Sequence, residues 1–268
     1  MKQDKTATVT VRKPFLKGKP TDENTFRNIL RFFGLMLLLV FMTFIVCTMT
    51  GFSSAVLRIA VNLAIETLIL FILFNRGTVH GTEAVSRGEI LYQHQVRGQE
   101  VTENERKLPY HPAKGFLNGI LGTLLMLIPA IVLAFTAQRQ MTGAGVLPGW
   151  MESYLRRDDI GNALVSYTNP GGISVTEILR IIVRICIMPF ISMIGGENKE
   201  ALLIAEKLSP ILLLLPACAY GIGYLQGPKA RARIHTEIAE NTKKRIRREK
   251  KARKTRQRTR PHGPQQLN

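Results

Sequence analysis

The sequence predicts an all-α membrane protein: a polytopic bundle of four transmembrane helices, with interfacial helices and a basic C-terminal tail. Two observations lead to this fold class. Apolar residues occur in long blocks, and neither residues 32–49 nor residues 116–137 include a charged side chain. About 20 apolar residues, at a rise of about 1.5 Å each, cross the hydrocarbon core of a bilayer. Basic residues instead concentrate near the two ends of the chain, outside these blocks.

The first two spans are predicted at residues 28–50 and 55–74. A basic N-terminal segment, residues 1–27, precedes them. Within it, Thr21 followed by two acidic residues is typical of a helix start. The uncharged residues 51–54 are predicted to turn the chain back into the membrane.

A polar loop is predicted at residues 75–114, either packed on the bundle or partly mobile. It includes four glycines and is too short to form a core of its own. Its three histidines lack the spacing of metal ligands, so we predict no metal site and no cofactor.

Two further spans are predicted at residues 115–137 and 201–225. Gly115 and Gly119, which lie one helical turn apart, predict close packing against a neighbouring helix. The membrane bundle would then end at residue 225, before the basic tail.

Residues 173–196 form an ambiguous segment between the third and the fourth span. Glu177, Arg180 and Arg184 are spaced three and four apart, so they share one helical face. The apolar part after Arg184 is short, and an arginine near the centre of a span costs about 3 kcal/mol on insertion scales. We therefore predict an interfacial or re-entrant segment, with a fifth transmembrane helix as the alternative.

The outer loop has a second amphipathic pattern. Five apolar side chains follow helical spacing and predict a short helix at the level of the lipid headgroups: Leu147, Trp150, Met151, Tyr154 and Leu155. A membrane anchor is favoured over a lid for a ligand.

Loop charges predict the orientation of the chain. Residues 1–27 carry seven Lys/Arg and residues 75–114 carry six, whereas residues 138–172 carry three. The positive-inside rule therefore predicts that the first two of these segments are cytoplasmic. Four crossings would also place the tail, residues 226–268, in the cytoplasm, and five would place it outside. A bacterial cytoplasmic membrane is the simplest location.

The second span includes the candidate intramembrane site. Arg58, Asn62 and Glu66 are spaced four apart and form a polar stripe on one helical face. An ionisable residue near the middle of a span is costly, so Glu66 is a functional hypothesis, as a proton or cation site. The alternative is a structural role in which Glu66 stays neutral or pairs with Asn62 and a neighbouring helix.

The tail is the most basic part of the chain, with 15 Lys/Arg and 3 Glu between residues 229 and 260. Isoleucines at helical spacing predict a helix as far as Glu249, and the tail from Lys250 onward is predicted to be disordered until bound. The predicted anion-binding residues are Lys243, Lys244, Arg245, Arg247, Arg248, Lys250, Lys251, Arg253 and Lys254.

Anionic lipid headgroups of the bilayer are the favoured partner of this tail, at about 1 kcal/mol per basic residue near the membrane surface. RNA or the ribosome is less favoured because no aromatic residue follows Tyr224 to stack on bases. A membrane-protein partner is a further expectation.

We find no enzyme motif such as GxSxG or HExxH, and predict no catalytic residue. A non-enzymatic binding or assembly component is the favoured function, with a cytoplasmic tail that contacts anionic lipid, RNA or an acidic partner. The alternative is a small transporter, or a transporter subunit, that uses Glu66. The two halves of the chain show no inverted repeat in favour of transport.

Overall fold

The computed structural model describes residues 12–49, 54–137, 152–155, 157, 159–161, 175–195 and 198–258. Within these residues the chain is helical and has no β-strand, which confirms the all-α fold class. The helices are α1 (Thr25–Met49), α2 (Ala55–Val96), α3 (Glu103–Lys107), α4 (Pro112–Thr136), α5 (Glu152–Leu155), α6 (Val175–Cys186), α7 (Met188–Ile194), α8 (Lys199–Leu225) and α9 (Gly227–Arg258).

Four of these helices, α1, α2, α4 and α8, are long and apolar enough to cross a membrane, as predicted. Helix α8 packs along both α2 and α4, and α1 packs against α4. We call the end of the bundle at which α1 begins and α8 ends the base, and the opposite end the top. The sequence predicts that the base faces the cytoplasm.

The prediction of a polar loop from residue 75 is wrong for the first half of that loop, because α2 continues without a break to Val96. The glycines of this region serve close helix packing and not turns. A Cβ atom on Gly77 would overlap with the backbone of Tyr220, and one on Gly81 would overlap with Tyr224. Gly98 is where the chain leaves the helix, with a φ of 73° that favours glycine.

Helices α6 and α7 correspond to the ambiguous segment and have only 12 and 7 residues. They are built into the bundle: α6 contacts α4 and α8, and α7 contacts α1 and α2. Val183 and Ile187 are buried in the same apolar core as Leu213 of α8. Arg180, on the predicted charged face of this segment, is only 4% exposed, so this part of the face is turned toward the bundle and not toward water.

The tail is a helix for most of its length. Gln226 alone separates α8 from α9, which extends to Arg258. The predicted disorder from Lys250 onward is thus wrong as far as Arg258, and residues 259–268 lie outside the described part. The physical reason is composition, because Lys and Arg are good helix formers and no Gly or Pro lies between residues 229 and 258.

Helix α9 leaves the base in the same direction as the end of α2. Gly227, at its start, lies against Gly81, and Arg231 reaches Glu89 two turns further along α2. The two helices therefore run side by side, and both lead away from the base.

The chain before α1 is an extended segment, residues 12–20, which we call the N-terminal strap. Its backbone is held by hydrogen bonds: Leu16 N donates to Gly88 O at 3.1 Å and Gly18 N donates to Tyr110 O at 3.0 Å. The helix predicted around Trp150 is described only from Glu152 to Leu155, as α5, and Leu147, Trp150 and Met151 lie outside the described residues.

Candidate functional site

The three residues of the predicted polar stripe lie on α2 and have different environments. Asn62 is fully buried and connects three helices. Its Nδ2 donates to Ser192 Oγ of α7 at 3.0 Å, and its Oδ1 accepts from Cys47 Sγ of α1 at 3.2 Å. Asn62 is therefore a structural cross-link at the top of the bundle.

Arg58 lies against the end of α7. One guanidinium nitrogen donates to Ile194 O at 3.4 Å, and Gly195, with a φ of 79°, turns the chain beside it. Carbonyl groups in the last turn of a helix lack partners within the helix, and a cation there is favourable. The structure thus assigns Arg58 a capping contact.

Glu66, the third residue of the stripe, is 8% exposed and faces a cavity of about 30 Å³ between α1, α2, α7 and α8. The other lining residues include Met36, Thr43, Ile187, Phe190, Leu213 and Pro216. In the described part of the chain no hydrogen bond joins Glu66 to Asn62, whose polar atoms bond elsewhere. The cavity has room for about one water molecule.

A cation at Glu66 would need several oxygen ligands, and the cavity offers few. The hydroxyl of Thr43 donates to the carbonyls of Leu39 and Val40 on its own helix. No group of three His, Cys, Asp or Glu side chains that could hold a metal ion occurs among the described residues. A proton needs only the carboxyl group itself, so this cavity suits proton binding better than metal binding.

The structure brings Arg180 and Arg184 of α6 onto Glu206 of α8, a group that we call the Glu206 cluster. Glu206 is 1% exposed, and both arginines approach the same oxygen, Oε1. Arg180 Nε lies 2.9 Å from it, and Arg184 Nε donates to it at 2.8 Å. Glu177, the third charged residue of this predicted face, is half-buried in the first turn of α6.

Sequence reasoning missed Glu206, although a signal was present. It is the only acidic residue within the predicted span 201–225. An acidic side chain at that position needs a partner, and this need is the signal that the sequence gives.

A second carboxylate, Glu89, ties the end of α2 to α9. Arg231 donates to Glu89 Oε2 through Nε at 3.0 Å and Nη2 at 2.9 Å, and His235 Nε2 lies 2.7 Å from Oε1. We call these three residues the Glu89 cluster. It was not predicted, because residues 75–114 were interpreted as a loop.

Glu89 lies beyond the predicted span of α2, residues 55–74. This helix has 42 residues, which corresponds to about 60 Å, or twice the thickness of a hydrocarbon core. Burial raises the pKa of Glu89, but hydrogen bonds from Arg231 and His235 have the opposite effect, and the net pKa lies below the ordinary carboxyl value.

The N-terminal strap, α2 and α9 enclose a pocket of about 530 Å³ beside the Glu89 cluster. We call it the strap pocket. Its polar lining is mainly basic, with Arg12, Lys13, Lys17, Lys229 and Arg231 beside Glu89 and His235. Its apolar lining includes Phe15, Val85, Leu225, Pro228 and Ala232.

Further polar side chains fix the base of the bundle. Lys114 Nζ lies 2.7 Å from Asp22 Oδ2 and also donates to three backbone carbonyls of residues 107–109, which anchors the chain before α1 to α4. His80 Nδ1 lies 2.7 Å from the hydroxyl of Tyr220. His80 is therefore part of the packed base and not a loop histidine in water.

The predicted anion-binding residues lie on the second half of α9, residues 241–258. All described side chains from residue 241 to 253 are exposed. Arg245 Nε donates to Glu249 Oε1 at 3.0 Å, one turn along the same helix. For Lys254 the structure describes only the helical backbone. This half of α9 is about 27 Å long, with basic residues around its whole circumference.

No protein family, no curated protein and no solved structure matches the chain. The contacts described above are therefore the basis on which a function can be assigned.

Proposed function

We propose that the chain is a non-enzymatic binding or assembly component of a bacterial cytoplasmic membrane, with both termini in the cytoplasm. In this proposal the four long helices anchor the protein. The second half of α9 binds an extended polyanion in the cytoplasm, such as RNA or an acidic protein surface.

The direction of α9 is the observation that carries this proposal. Helix α9 follows the end of α2 away from the base, so Lys243 lies about 24 Å further along than Gly227. Electrostatic attraction between exposed charges is screened over about 8–10 Å at physiological salt. The second half of α9 is therefore directed beyond the headgroups of its own membrane. This geometry favours a cytoplasmic polyanion over the lipid partner that the sequence alone favours.

The Glu89 cluster supports the same proposal. It fixes the first turns of α9 to α2, and both helices are continuous in this region. A cationic helix held at its start loses less conformational entropy on binding than a disordered tail of the same charge would.

A binding experiment on the full chain tests the proposal. The protein is placed in phosphatidylcholine nanodiscs, and its affinity for a labelled single-stranded RNA and for polyglutamate is measured between 50 and 200 mM salt. The test variant changes to Gln the nine residues Lys243, Lys244, Arg245, Arg247, Arg248, Lys250, Lys251, Arg253 and Lys254. We expect the wild type to bind at least one of the two polyanions with steep salt dependence, and the variant to lose the binding by about 100-fold or more.

A matched control removes basic residues at the start of α9 and in the N-terminal strap: Arg12→Gln, Lys13→Gln and Lys229→Gln. This control should keep most of the polyanion affinity. If the nine-residue variant binds both polyanions as well as the wild type does, or the wild type binds neither, the proposed function is wrong.

A small proton-coupled transporter is the second candidate, and the cavity at Glu66 favours it. Cys186 and Ile187 line this cavity at the junction of α6 and α7. Helix α7 then runs along α2 toward the top. Ser192 contacts Asn62, one turn nearer the top than Glu66, and Ile194 contacts Arg58, two turns nearer. This arrangement supports a re-entrant pair, in which α6 enters from the top and α7 returns to it.

The substitution Glu66→Gln separates the two candidates. A transporter that uses Glu66 would lose substrate-driven proton flux in vesicles while its expression and melting temperature stay the same. The binding component that we propose should keep its full polyanion affinity in this variant.

A further inference from the structure

The strap pocket lies at the level where α8 leaves the membrane. Leu225, the last residue of α8, and Pro228, in the first turn of α9, both line it. Helix α8 has 27 residues, about 40 Å, which exceeds a hydrocarbon core of about 30 Å. The predicted span ends at residue 225 and basic residues follow from Lys229 onward, so we place the strap pocket at the depth of the lipid headgroups.

The lining of the strap pocket has more positive than negative charge. It includes five Lys/Arg side chains and one carboxylate, Glu89, which already accepts hydrogen bonds from Arg231. The other four cations, Arg12, Lys13, Lys17 and Lys229, are exposed, and within the described residues none forms a salt bridge. These side chains can donate to phosphate oxygens without giving up an existing partner.

The pocket also has an apolar wall. Phe15, Val85 and Leu225 lie beside the basic groups, and Leu225 is partly exposed at the end of α8. The glycerol and first methylenes of a phospholipid are stabilised by contact with such a wall, whereas a soluble phosphate compound has no apolar group to place there.

The N-terminal strap gives the pocket a fixed shape. Its backbone hydrogen bond to Gly88 of α2 requires a close approach, since a Cβ atom on Gly88 would lie 2.6 Å from Leu16 O and 3.3 Å from Phe15 Cβ. Glu89, next along α2, positions Arg231 on the opposite wall. The two walls are thus held by separate contacts with the same turn of α2.

We propose that the strap pocket binds one anionic phospholipid of the inner leaflet, with its phosphate between the strap and Lys229 and its glycerol and acyl chains along Phe15 and Leu225. Basic pockets next to the cytoplasmic ends of membrane helices are suited to anionic headgroups. This site goes beyond the proposed function, because it uses none of the nine basic residues in the second half of α9.

Native mass spectrometry of the full chain, delipidated in a neutral detergent, tests the proposal. Phosphatidylglycerol and phosphatidylcholine with the same acyl chains are titrated, with glycerol 3-phosphate as a soluble competitor. We expect one phosphatidylglycerol to bind about tenfold more tightly than phosphatidylcholine. Millimolar glycerol 3-phosphate should not displace it, because the soluble compound lacks the apolar contacts.

Two variants locate the site. The triple variant Arg12→Gln, Lys13→Gln and Lys229→Gln should lower phosphatidylglycerol affinity about tenfold or more. Gly88→Ala should lower it as well, because the added Cβ displaces the strap while all five basic side chains remain. The matched control, Lys243→Gln, Lys244→Gln and Arg248→Gln, removes the same number of charges from the second half of α9 and should bind the lipid like the wild type.

Several outcomes would overturn the proposal. Equal affinity for the two lipids, or equal losses in the strap variant and the control, would mean that no specific lipid site exists here. Displacement by glycerol 3-phosphate would identify a site for a soluble phosphate compound. Polyanion binding is measured on the same samples, so loss of lipid binding with retained RNA or polyglutamate binding distinguishes a failure here from a failure of the proposed function.

Discussion

The Glu206 cluster and the Glu89 cluster have similar contacts but lie in different environments. In each, a carboxylate on one long helix faces two nitrogen-bearing side chains on another helix. The Glu206 cluster lies between α6 and α8, within the predicted depth of the membrane, and the Glu89 cluster lies between α2 and α9, beyond it.

The two clusters differ in the side chains that surround the carboxylate in place of water. Both arginines of the Glu206 cluster approach one oxygen of a carboxylate that is 1% exposed. In the Glu89 cluster each oxygen has its own partner. Arg231 and Arg184 are equally exposed, at 26%, so the buried cation that distinguishes the Glu206 cluster is Arg180, at 5%. Removal of the carboxylate should therefore lower the free energy of unfolding more in the Glu206 cluster than in the Glu89 cluster.

The largest effect is expected for Glu206→Gln. Because it removes the carboxylate that both Arg180, whose side chain is 5% exposed, and Arg184 approach, we expect a loss of about 3–5 kcal/mol in the free energy of unfolding. Thermal unfolding of the purified protein measures this change. The control Glu237→Gln, on the exposed side of α9, should change stability by less than about 0.5 kcal/mol.

The double variant Glu206→Gln with Arg184→Gln sharpens this prediction. It removes one of the two cations that approach Glu206 and should recover part of the lost stability, so the two changes should be non-additive. Equal stability of Glu206→Gln and the wild type would contradict the ion pairs of this cluster.

A smaller effect is expected at the contact between α8 and α2, the helices that carry Glu206 and Glu89. A Cβ atom on Gly223 would overlap with the backbone of Phe74, so Gly223→Ala must push these helices apart. We expect a loss of about 1–3 kcal/mol. Gly34→Ala is the matched control, since a Cβ atom there has no neighbour within 4 Å and alanine favours the helix. A Gly223→Ala protein as stable as Gly34→Ala would contradict the close α2–α8 contact.

The substitution Glu89→Gln should have a local effect of about 1–2 kcal/mol, because water can partly solvate Arg231. We expect faster amide hydrogen exchange in residues 227–240, where α9 loses its attachment to α2, and unchanged exchange in α1 and α4. Global destabilisation as large as that of Glu206→Gln would contradict the comparison between the two clusters.

The smallest effect is a dependence on pH. Because hydrogen bonds from Arg231 and His235 outweigh burial, Glu89 has a folded-state pKa below its ordinary value of 4.5. Its contribution to stability is therefore fully present above that value and is lost as pH falls through the lower folded-state pKa. Spin labels on α2 and α9 should report a constant distance from pH 7 to 5 and separation only below pH 4.5. In Glu89→Gln this transition should be absent.

The sequence was sufficient for the parts of the fold that depend on local composition. Blocks of apolar residues predicted all four long helices, and the spacing of Arg180 and Arg184 predicted their common face. The glycines of α2 led to a wrong prediction, because glycine is common both in loops and at close helix contacts. The packing of Gly77 and Gly81 against α8 shows that these glycines have the second role.

The clusters themselves could not be predicted, because their partners are far apart along the chain. Glu206 lies 22 residues from Arg184, and Glu89 lies 142 residues from Arg231. Such pairs depend on how the helices pack. Local patterns in the sequence identify a charge that needs a partner, but they do not identify the partner.

Both proposals depend on α9 lying on the cytoplasmic side of the membrane, and labelling of a cysteine in α9 measures that side. A single cysteine replaces Ala252, an exposed residue in the second half of α9, after Cys47, Cys186 and Cys218 have been changed to Ser. A membrane-impermeant maleimide is then applied to intact cells and to lysed cells. We predict labelling only after lysis, as four crossings with a cytoplasmic α9 require. Labelling on intact cells would place α9 outside and contradict the proposed function and the inner-leaflet lipid site together.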